Sequence, residues 1–443
     1  MKKSFINLTI LFITLAFSTN ASQERFEEIE KRLAEIEVKT YSSFLNFSGE
    51  LETRYDNFTR EDKDDSAASK NVSNSYFSNF FRLNLDAKPH RDVQFYGRLS
   101  MAKYWNDFYA YGNRPVTALS GSTGRNKTNG EVYVERAFIN WSFAKSYILS
   151  IGRLPTIDGG PKHLHLSSSE LGSYPLASFS AIFDGMALTK EFTGNGWNLK
   201  TRAIYTPFQT PNFSSTLEGV RNSDGAKLDS KSDVFVLNID LKKYQMSFAE
   251  SSSTILQIMR VNNLDFYTVN NGTTALGNNT ASFTTLSFYN EFTNVLDTNT
   301  DLYLTYKYSW TKSKGCLIGS GTTCTTGGFY SNGPEKSTTG YNLWLGAKNE
   351  IFEENYIGFE YIYNDTYGTT SNSAKAEIAN LYGVTASKTA HIFYTNHINS
   401  ALSLIVGAYQ QKTWRTFTGG VFTLGSPANL KTNVTYSRFI AHF

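Results

Sequence analysis

The stretch YNLWLGAKNEIFEENYIGFEYIYND, from Tyr341 to Asp365, contains two segments in which apolar and polar residues alternate. Apolar side chains recur at every second position from Tyr341 to Ala347, and again from Ile357 to Tyr363. Because successive side chains of a β-strand point to opposite faces of the sheet, this pattern predicts two strands with one apolar and one polar face each. The short acidic segment between them predicts a turn.

The same alternation recurs along most of the chain, over residues 47–56, 81–86, 93–101, 197–203 and 302–310 among others. Long polar segments occupy roughly 58–75, 105–131, 155–182, 207–232, 262–282, 313–338, 365–388 and 413–429. Short turns lie near 87–92, 143–146, 190–196, 242–245, 292–300, 350–354 and 397–400. Since long and short connections alternate strictly, we predict about sixteen strands, with both ends of the meander on the short-turn side.

An outer-membrane barrel has this asymmetry of long outer loops and short periplasmic turns. We therefore predict an all-β fold over residues 43–443, a transmembrane antiparallel β-barrel with its apolar face towards lipid. A barrel of about sixteen strands leaves an aqueous channel rather than a packed interior. The alternative is a soluble all-β protein, either a two-sheet sandwich or a secreted β-solenoid.

The composition argues against two other classes of protein. Beyond the N-terminus, no apolar stretch reaches the roughly 18 residues that a transmembrane helix needs, and the mean hydropathy is −0.35. The net charge of +3 is too small to suggest a nucleic-acid-binding protein. We expect no nucleic-acid partner and no cofactor.

The first residues have the features of a secretory signal peptide. Lys2 and Lys3 precede an apolar run from Phe5 to Phe17, and small residues around Ala21 offer a cleavage site. We predict a signal peptide over residues 1–21; the alternative is an N-terminal membrane anchor, for which the apolar run is short.

Residues 22–42 have the period of a helix instead of a strand. Phe26, Ile29, Leu33 and Ile36 are spaced three, four and three residues apart, which is the seam of a coiled coil. We predict a short periplasmic α-helical coiled coil that assembles three copies of the chain. The alternative is a solitary amphipathic helix packed against the barrel.

The two cysteines of the chain, Cys316 and Cys324, lie close together in CLIGSGTTC. In an exported protein such a pair usually forms a local disulfide, which we predict here. Two free thiols or half of a metal site are the alternatives. A metal site is disfavoured because no further Cys or His lies nearby.

Arginines fall on, or close to, the inward parity of the early strands. The predicted pore-lining set is Arg54, Arg82, Arg98, Arg136, Arg153 and Arg202. In general porins the third long loop folds into the barrel and faces a basic wall, so we predict that Asp158, Glu170 and Asp184 form a charged constriction. The alternative is that the arginines are simply lumen residues, each paired with Glu50, Glu52 or Asp86.

No catalytic or metal-binding residues are predicted. His163 and His165 lie on a loop without a third ligand and are expected to be surface histidines. No GxSxG or comparable motif accompanies the scattered Ser, His and Asp residues, so an outer-membrane hydrolase is disfavoured.

The segment from Val134 to Pro175, followed by AIFDGMALT, resembles an uncharacterised Gram-negative family of outer-membrane porins that is described only as a domain of unknown function. The matching residues are Glu135, Arg136, Ala137, Trp141, Gly152, Arg153, Pro155, Thr156, Asp158 and Gly159. This chain has an extra Gly160 before Pro161. The resemblance implies a signal peptide, a short coiled coil and a C-terminal barrel in the outer membrane.

Together these features predict a porin that gives passive diffusion of small hydrophilic solutes or ions through a water-filled barrel. The alternative is a structural or adhesive barrel, whose long outer loops bind a partner while the lumen is plugged.

Overall fold

The computed structural model describes residues 45–64, 71–105, 132–155, 159–161, 183–207, 233–270, 273–313, 316–318, 326–327, 337–368, 386–415 and 427–443. For residues 104, 263–270, 273–281, 313, 316–318 and 326–327 the description covers the backbone alone. Within these residues, no helix is long and apolar enough to cross a membrane.

Eighteen strands are present in the described part of the chain, and sixteen of them form one closed antiparallel barrel. The strands are β1 (Leu45–Asp62), β2 (Val72–His90), β3 (Val93–Tyr104), β4 (Tyr133–Phe143), β5 (Tyr147–Leu154), β6 (Phe183–Gly194), β7 (Trp197–Pro207), β8 (Asp233–Tyr244), β9 (Ser251–Asn270), β10 (Thr273–Thr293), β11 (Thr300–Ser313), β12 (Cys316–Ile318), β13 (Thr326–Gly327), β14 (Ser337–Phe352), β15 (Asn355–Asn364), β16 (Ser387–Asn399), β17 (Leu402–Arg415) and β18 (Pro427–His442). The pair β12 and β13 forms a separate small sheet. The predicted barrel class and strand number are confirmed.

Each barrel strand has an outer and an inner face, as the alternating sequence predicts. In β15, Ile357 and Phe359 are exposed on the outer face, whereas Glu360 and Ile362 are buried on the inner face. The aromatic residues of the opening stretch divide accordingly, with Tyr341, Tyr361 and Tyr363 on the outer face. Trp344 is the exception: it faces inwards and is buried, because it replaces a polar residue in the alternation.

The barrel is closed by pairing between the first and last strands. β1 pairs with β18 from Glu50 opposite His442 to Asp62 opposite Leu430. The pairing continues beyond β18, since the Phe443 amide donates to the Gly49 carbonyl at 3.1 Å and the Gly49 amide donates back at 2.8 Å. Closure therefore leaves neither terminal strand as an open edge over its paired length.

Six of the seven short connections lie where the sequence predicts turns, and the seventh, between β8 and β9, begins at the end of the predicted turn at 242–245 and extends to residue 250. In the described residues, a 3-10 turn at Val295–Asp297 lies in the connection between β10 and β11. One predicted long loop is wrong. Over residues 262–282 the chain continues the β9–β10 ladder, with Asn270 opposite Thr273, so these strands form a ribbon that projects beyond the barrel wall. The segment was predicted to be a loop because it is rich in Asn and Thr, and its apolar residues do not keep a regular period-two alternation.

Replacing Ser437 with proline tests the closure of the barrel. Ser437 is paired on both sides, with Tyr55 of β1 and Val406 of β17. Ser437→Pro removes a backbone N–H of the β-ladder. Because the outer face of the strand is apolar, water cannot supply the lost hydrogen bond, so we expect the barrel to remain unfolded. The measurement is heat-modifiable migration on a denaturing gel, with Ser437→Ala as the matched control. Normal folding of the proline variant would contradict the closure assigned here.

Candidate functional site

A row of arginines crosses five neighbouring strands on the inner wall, from β18 through β1, β2 and β3 to β4. Its members are Arg438, Arg54, Arg82, Arg98 and Arg136. Four of them belong to the predicted pore-lining set. Arg438 was missed, although its inward position follows from the same period-two pattern once the seam between β1 and β18 is known.

The two arginines at the seam are each neutralised by a carboxylate. The Arg54 Nε atom donates to both carboxylate oxygens of Asp56, at 2.8 and 2.7 Å, and its guanidinium lies 4.5 Å from the centre of the Tyr436 ring. Arg438 donates from Nε and Nη2 to the two oxygens of Glu52, at 2.7 Å each. Such paired geometry stabilises charges that are withdrawn from water.

A β-bulge brings a carboxylate between the next two arginines. The register of β3 and β4 shifts by one residue after Arg98, so Glu135 and Arg136 both face inwards although they are consecutive. Glu135 accepts from Arg98 Nη1 at 3.0 Å and from the Ser100 hydroxyl at 2.8 Å. Arg98 also donates from Nε to Asn84 at 2.7 Å. Because Arg98 and Arg136 lie directly opposite each other, Glu135 offsets their repulsion.

The remaining inward arginines differ in their partners. Arg82 forms an ion pair with Glu50, and its guanidinium lies 4.2 Å from the centre of the Phe80 ring. Arg202 lies apart from the row, on β7, where it donates to Thr189 at 3.0 Å and to Asn238 at 3.4 Å. The expected pairing with Glu50 is therefore present for one arginine, and Glu52 pairs with Arg438.

A second network extends around the inner wall from the other side of the seam. Glu360 accepts from the Tyr303 hydroxyl at 2.8 Å and contacts His391 Nδ1 at 2.6 Å. The other ring nitrogen of His391 lies 2.8 Å from the Tyr436 hydroxyl, and Tyr436 is the ring beneath Arg54. Polar contacts thus link strands β11, β15, β16, β18 and β1. Sequence reasoning missed this network because its members are far apart in the chain.

The third long connection enters the barrel at its first described turn, Gly159–Pro161. Gly160 packs against Tyr289 of β10, so closely that an added Cβ would lie 2.5 Å from the Tyr289 hydroxyl. This turn follows β5, which is five strands away from β10 in the sheet order, so the chain must cross the lumen to reach it. Tyr289 is itself held by Glu291, which accepts its hydroxyl at 2.6 Å. A glycine suits this position because it lets the backbone approach the ring.

Part of the inner wall is apolar. One cluster on β4 to β10 contains Phe138, Leu154, Ala187, Ile204, Val234, Val236, Met259, Val261 and Phe283, all buried. A second contains Phe58, Ile255, Tyr289, Tyr303, Trp344, Ile362, Tyr409 and Val434. These residues narrow the water-accessible part of the lumen. In the sequence, the run VFVL at 234–237 indicates the first cluster, because it places apolar residues on both faces of the strand.

Two predicted site residues lie on the outer face, and their assignment is wrong. Arg153 is directly opposite Asp184 and shares the parity of Ile151, which is exposed on the outer face. The Arg153 Nε and Nη2 atoms donate to the Asp184 carboxylate at 3.0 and 3.1 Å. Asp184 moreover belongs to strand β6, not to the third loop. The regular ladder between β5 and β6 fixes both orientations.

Several predicted features lie outside the described residues. These are the signal peptide, the coiled-coil residues Phe26, Ile29, Leu33 and Ile36, the loop residues Asp158 and Glu170, the histidines His163 and His165, and Cys324. Cys316 begins β12, where only its backbone is described. The predicted disulfide is therefore untested.

Residues 70–200 match a family model described as "Protein of unknown function (DUF3373)". This match includes the bulge, the opposed arginines and the turn that contacts Tyr289, and it confirms the resemblance drawn from the sequence. No curated protein matches the chain at a significant level.

Solved structures that are similar to this chain include OmpT in its trimer form, an outer membrane protein of Vibrio cholerae, at 12% identity, covering 90% of this chain and 99% of that one. The outer membrane channel DcaP of Acinetobacter baumannii is similar at 10% identity, covering 90% and 97%. An anion-selective porin from Comamonas acidovorans is similar at 10% identity, covering 90% and 99%. The TM-score is 0.46 in each case, so no solute or assembly is carried over.

Neutralising Glu135 tests the inner-wall charge arrangement. Glu135→Gln removes the negative charge between two buried, opposed arginines, and we expect the free energy of unfolding to fall by about 3 kcal/mol. Denaturant unfolding of the refolded barrel measures this change. Glu353→Gln, in an exposed short turn, removes the same charge and should leave stability within about 0.5 kcal/mol of the original. Equal effects of the two substitutions would contradict the assigned role of Glu135.

Proposed function

We propose that the protein is an outer-membrane channel for passive diffusion of small hydrophilic solutes or ions. The observation that carries the proposal is the closed sixteen-strand barrel with an apolar outer face and a charged inner wall. Closed barrels are the β architecture that satisfies all backbone groups in lipid, and this strand number leaves room for an aqueous path. Diffusion through such a path needs no enzyme activity and no cofactor.

The constriction lies where the Gly159–Pro161 turn meets Tyr289. The turn reduces the cross-section beside an inner wall that carries arginines and carboxylates. A charged constriction selects solutes by size and steers ions by sign. The inward arginines are proposed to contribute positive potential to this path; they are Arg54, Arg82, Arg98, Arg136 and Arg202. Among the paired arginines of the row, Arg82 has the most exposed side chain.

The proposal includes location and assembly. Export by the N-terminal signal peptide would bring the barrel to the outer membrane of a Gram-negative cell, with residues 22–42 in the periplasm. Because both barrel ends lie on the short-turn side, a coiled coil attached to β1 would lie beneath the barrel and join three copies.

Single-channel recording in a planar bilayer tests conduction. We expect discrete current steps, larger in Tyr289→Ala because the ring against which the turn packs is removed. Under a salt gradient, Arg82→Gln should shift the reversal potential towards cation preference, since it removes positive charge and leaves Glu50 unpaired. Tyr306→Ala, on the outer face, is the matched control for the tyrosine change and should conduct like the original protein. Folded barrels that insert without current would contradict the channel proposal.

A second candidate is a plugged barrel that binds partners through its long loops. The observation in its favour is the complete burial of inner-wall groups, with Glu135, Glu360 and Ser100 at 0% exposure. Groups facing a wide aqueous lumen would be more accessible. The same recording separates the two candidates, because only the plugged barrel would be silent when folded and inserted.

Removal of residues 22–42 tests the assembly. We expect the mature chain to have the mass of three copies in detergent and the shortened chain the mass of one, because the heptad seam is lost. Light scattering coupled to size exclusion gives both masses after correction for detergent. The substitution Glu30→Gln, outside the predicted seam of Phe26, Ile29, Leu33 and Ile36, is the control and should retain the trimer. A trimer without residues 22–42 would show that the barrel surface assembles the protein.

A further inference from the structure

Three lysines lie side by side on the outer face of neighbouring strands. Lys388 of β16 is directly opposite Lys412 of β17, and Lys412 is directly opposite Lys431 of β18. Each shares the outward parity of its strand: Lys388 with Ile392, for example, which is 51% exposed. We call Lys388, Lys412 and Lys431 the lysine row. Like charges directly opposite each other destabilise a sheet, so an anion bound to the row would relieve this repulsion.

The groups facing the row neutralise it only in part. Glu61 of β1 is opposite Lys431 but forms an ion pair with Lys63. Lys388 has Tyr363 as its other cross-strand neighbour. Asp365, diagonal to Lys388, accepts the Thr366 amide at 2.7 Å. Within the described strands, no carboxylate is opposite Lys388 or Lys412, so the row has excess positive charge.

The position of the row along the barrel indicates which anion would reach it. Towards the short turns, the next outward residues are Gln410 and Asn433, joined by a 2.9 Å hydrogen bond, followed by Ala408 and Val406. The row therefore lies just beyond the apolar band, at its long-loop end.

Aromatic rings mark the same height. The Tyr363 ring lies 5.3 Å from that of Tyr341 and 5.7 Å from that of Trp414, measured between centroids. Clusters of Tyr and Trp at the edge of an apolar band are typical of the lipid headgroup level, and lysine side chains extend from such positions into the headgroups.

We propose that the lysine row binds the phosphate groups of lipid in the leaflet that faces the long loops. The Cβ atoms of directly opposite residues on adjacent strands lie about 5 Å apart, so neighbouring lysines can both reach one phosphorylated headgroup, whose charge offsets their repulsion. The proposal rests on the membrane location given above and not on conduction, so a silent barrel would leave it standing.

Native mass spectrometry of the full chain in neutral detergent tests this site. The probes are a bisphosphorylated glucosamine lipid (lipid A), the same lipid without phosphates, and inorganic phosphate. We expect the phosphorylated lipid to bind preferentially, and the triple variant Lys388→Gln, Lys412→Gln, Lys431→Gln to bind it at least about tenfold more weakly. The triple arginine variant should retain binding.

The matched control removes three exposed lysines at the short-turn end, by Lys88→Gln, Lys145→Gln and Lys243→Gln, and should bind as the original protein does. Heat-modifiable migration shows that each variant is folded, and Lys412→Gln alone replaces the triple variant if that fails to fold. Equal binding by the row variant and the control would overturn the proposal, as would equal affinity for the unphosphorylated lipid or displacement of the lipid by millimolar inorganic phosphate. If the row variant lost its oligomers but bound lipid as before, the proposal would be overturned, and the row would be a contact with a second copy of the chain.

Discussion

The hydrogen bonding of the backbone is the constraint on which this fold depends. A strand whose outer face is apolar cannot rely on water to satisfy its amides and carbonyls, so each strand needs a neighbour on both sides. The pairing of β1 with β18 meets this need, and it also fixes which residues face inwards across the seam. The contact between Arg438 and Glu52, and the position of Arg54 above Tyr436, are consequences of that closure.

The inner wall combines two ways of accommodating buried groups. Charged residues are matched locally, with Asp56 two residues from Arg54 and Glu135 beside Arg98. Apolar residues pack in two clusters, and the Gly160 backbone contacts the ring of Tyr289, a member of the second cluster. Any aqueous path must therefore pass beside an inner wall that is partly covered by packed side chains. The side chains at the constriction are then more important than the number of strands in setting the width of the path.

Period-two alternation was sufficient to predict the barrel, its strand number and the positions of six of the seven short turns. It also placed Arg54, Arg82, Arg98 and Arg136 inside. Arg153 and Asp184 were misplaced because their charge was given more weight than their parity, although Ile151 and Met186 on the same parity indicate the outer face. The Glu360 and His391 contact joins the consecutive strands β15 and β16, but alternation does not give the register that sets these two residues opposite each other, nor their side-chain conformations. The β9–β10 ribbon was missed because its Asn- and Thr-rich sequence breaks the regular alternation.

The bulge in β4 affects how the residues of the inner wall can change in evolution. Glu135 is the one extra residue between the regular pairs Arg98–Arg136 and Leu99–Val134. Loss of the single codon for Glu135 would remove an inward carboxylate while every flanking residue kept its face and its partner. Elsewhere in a strand the same event would turn all later side chains inside out. The inner-wall charge can thus vary in one genetic step without a new barrel.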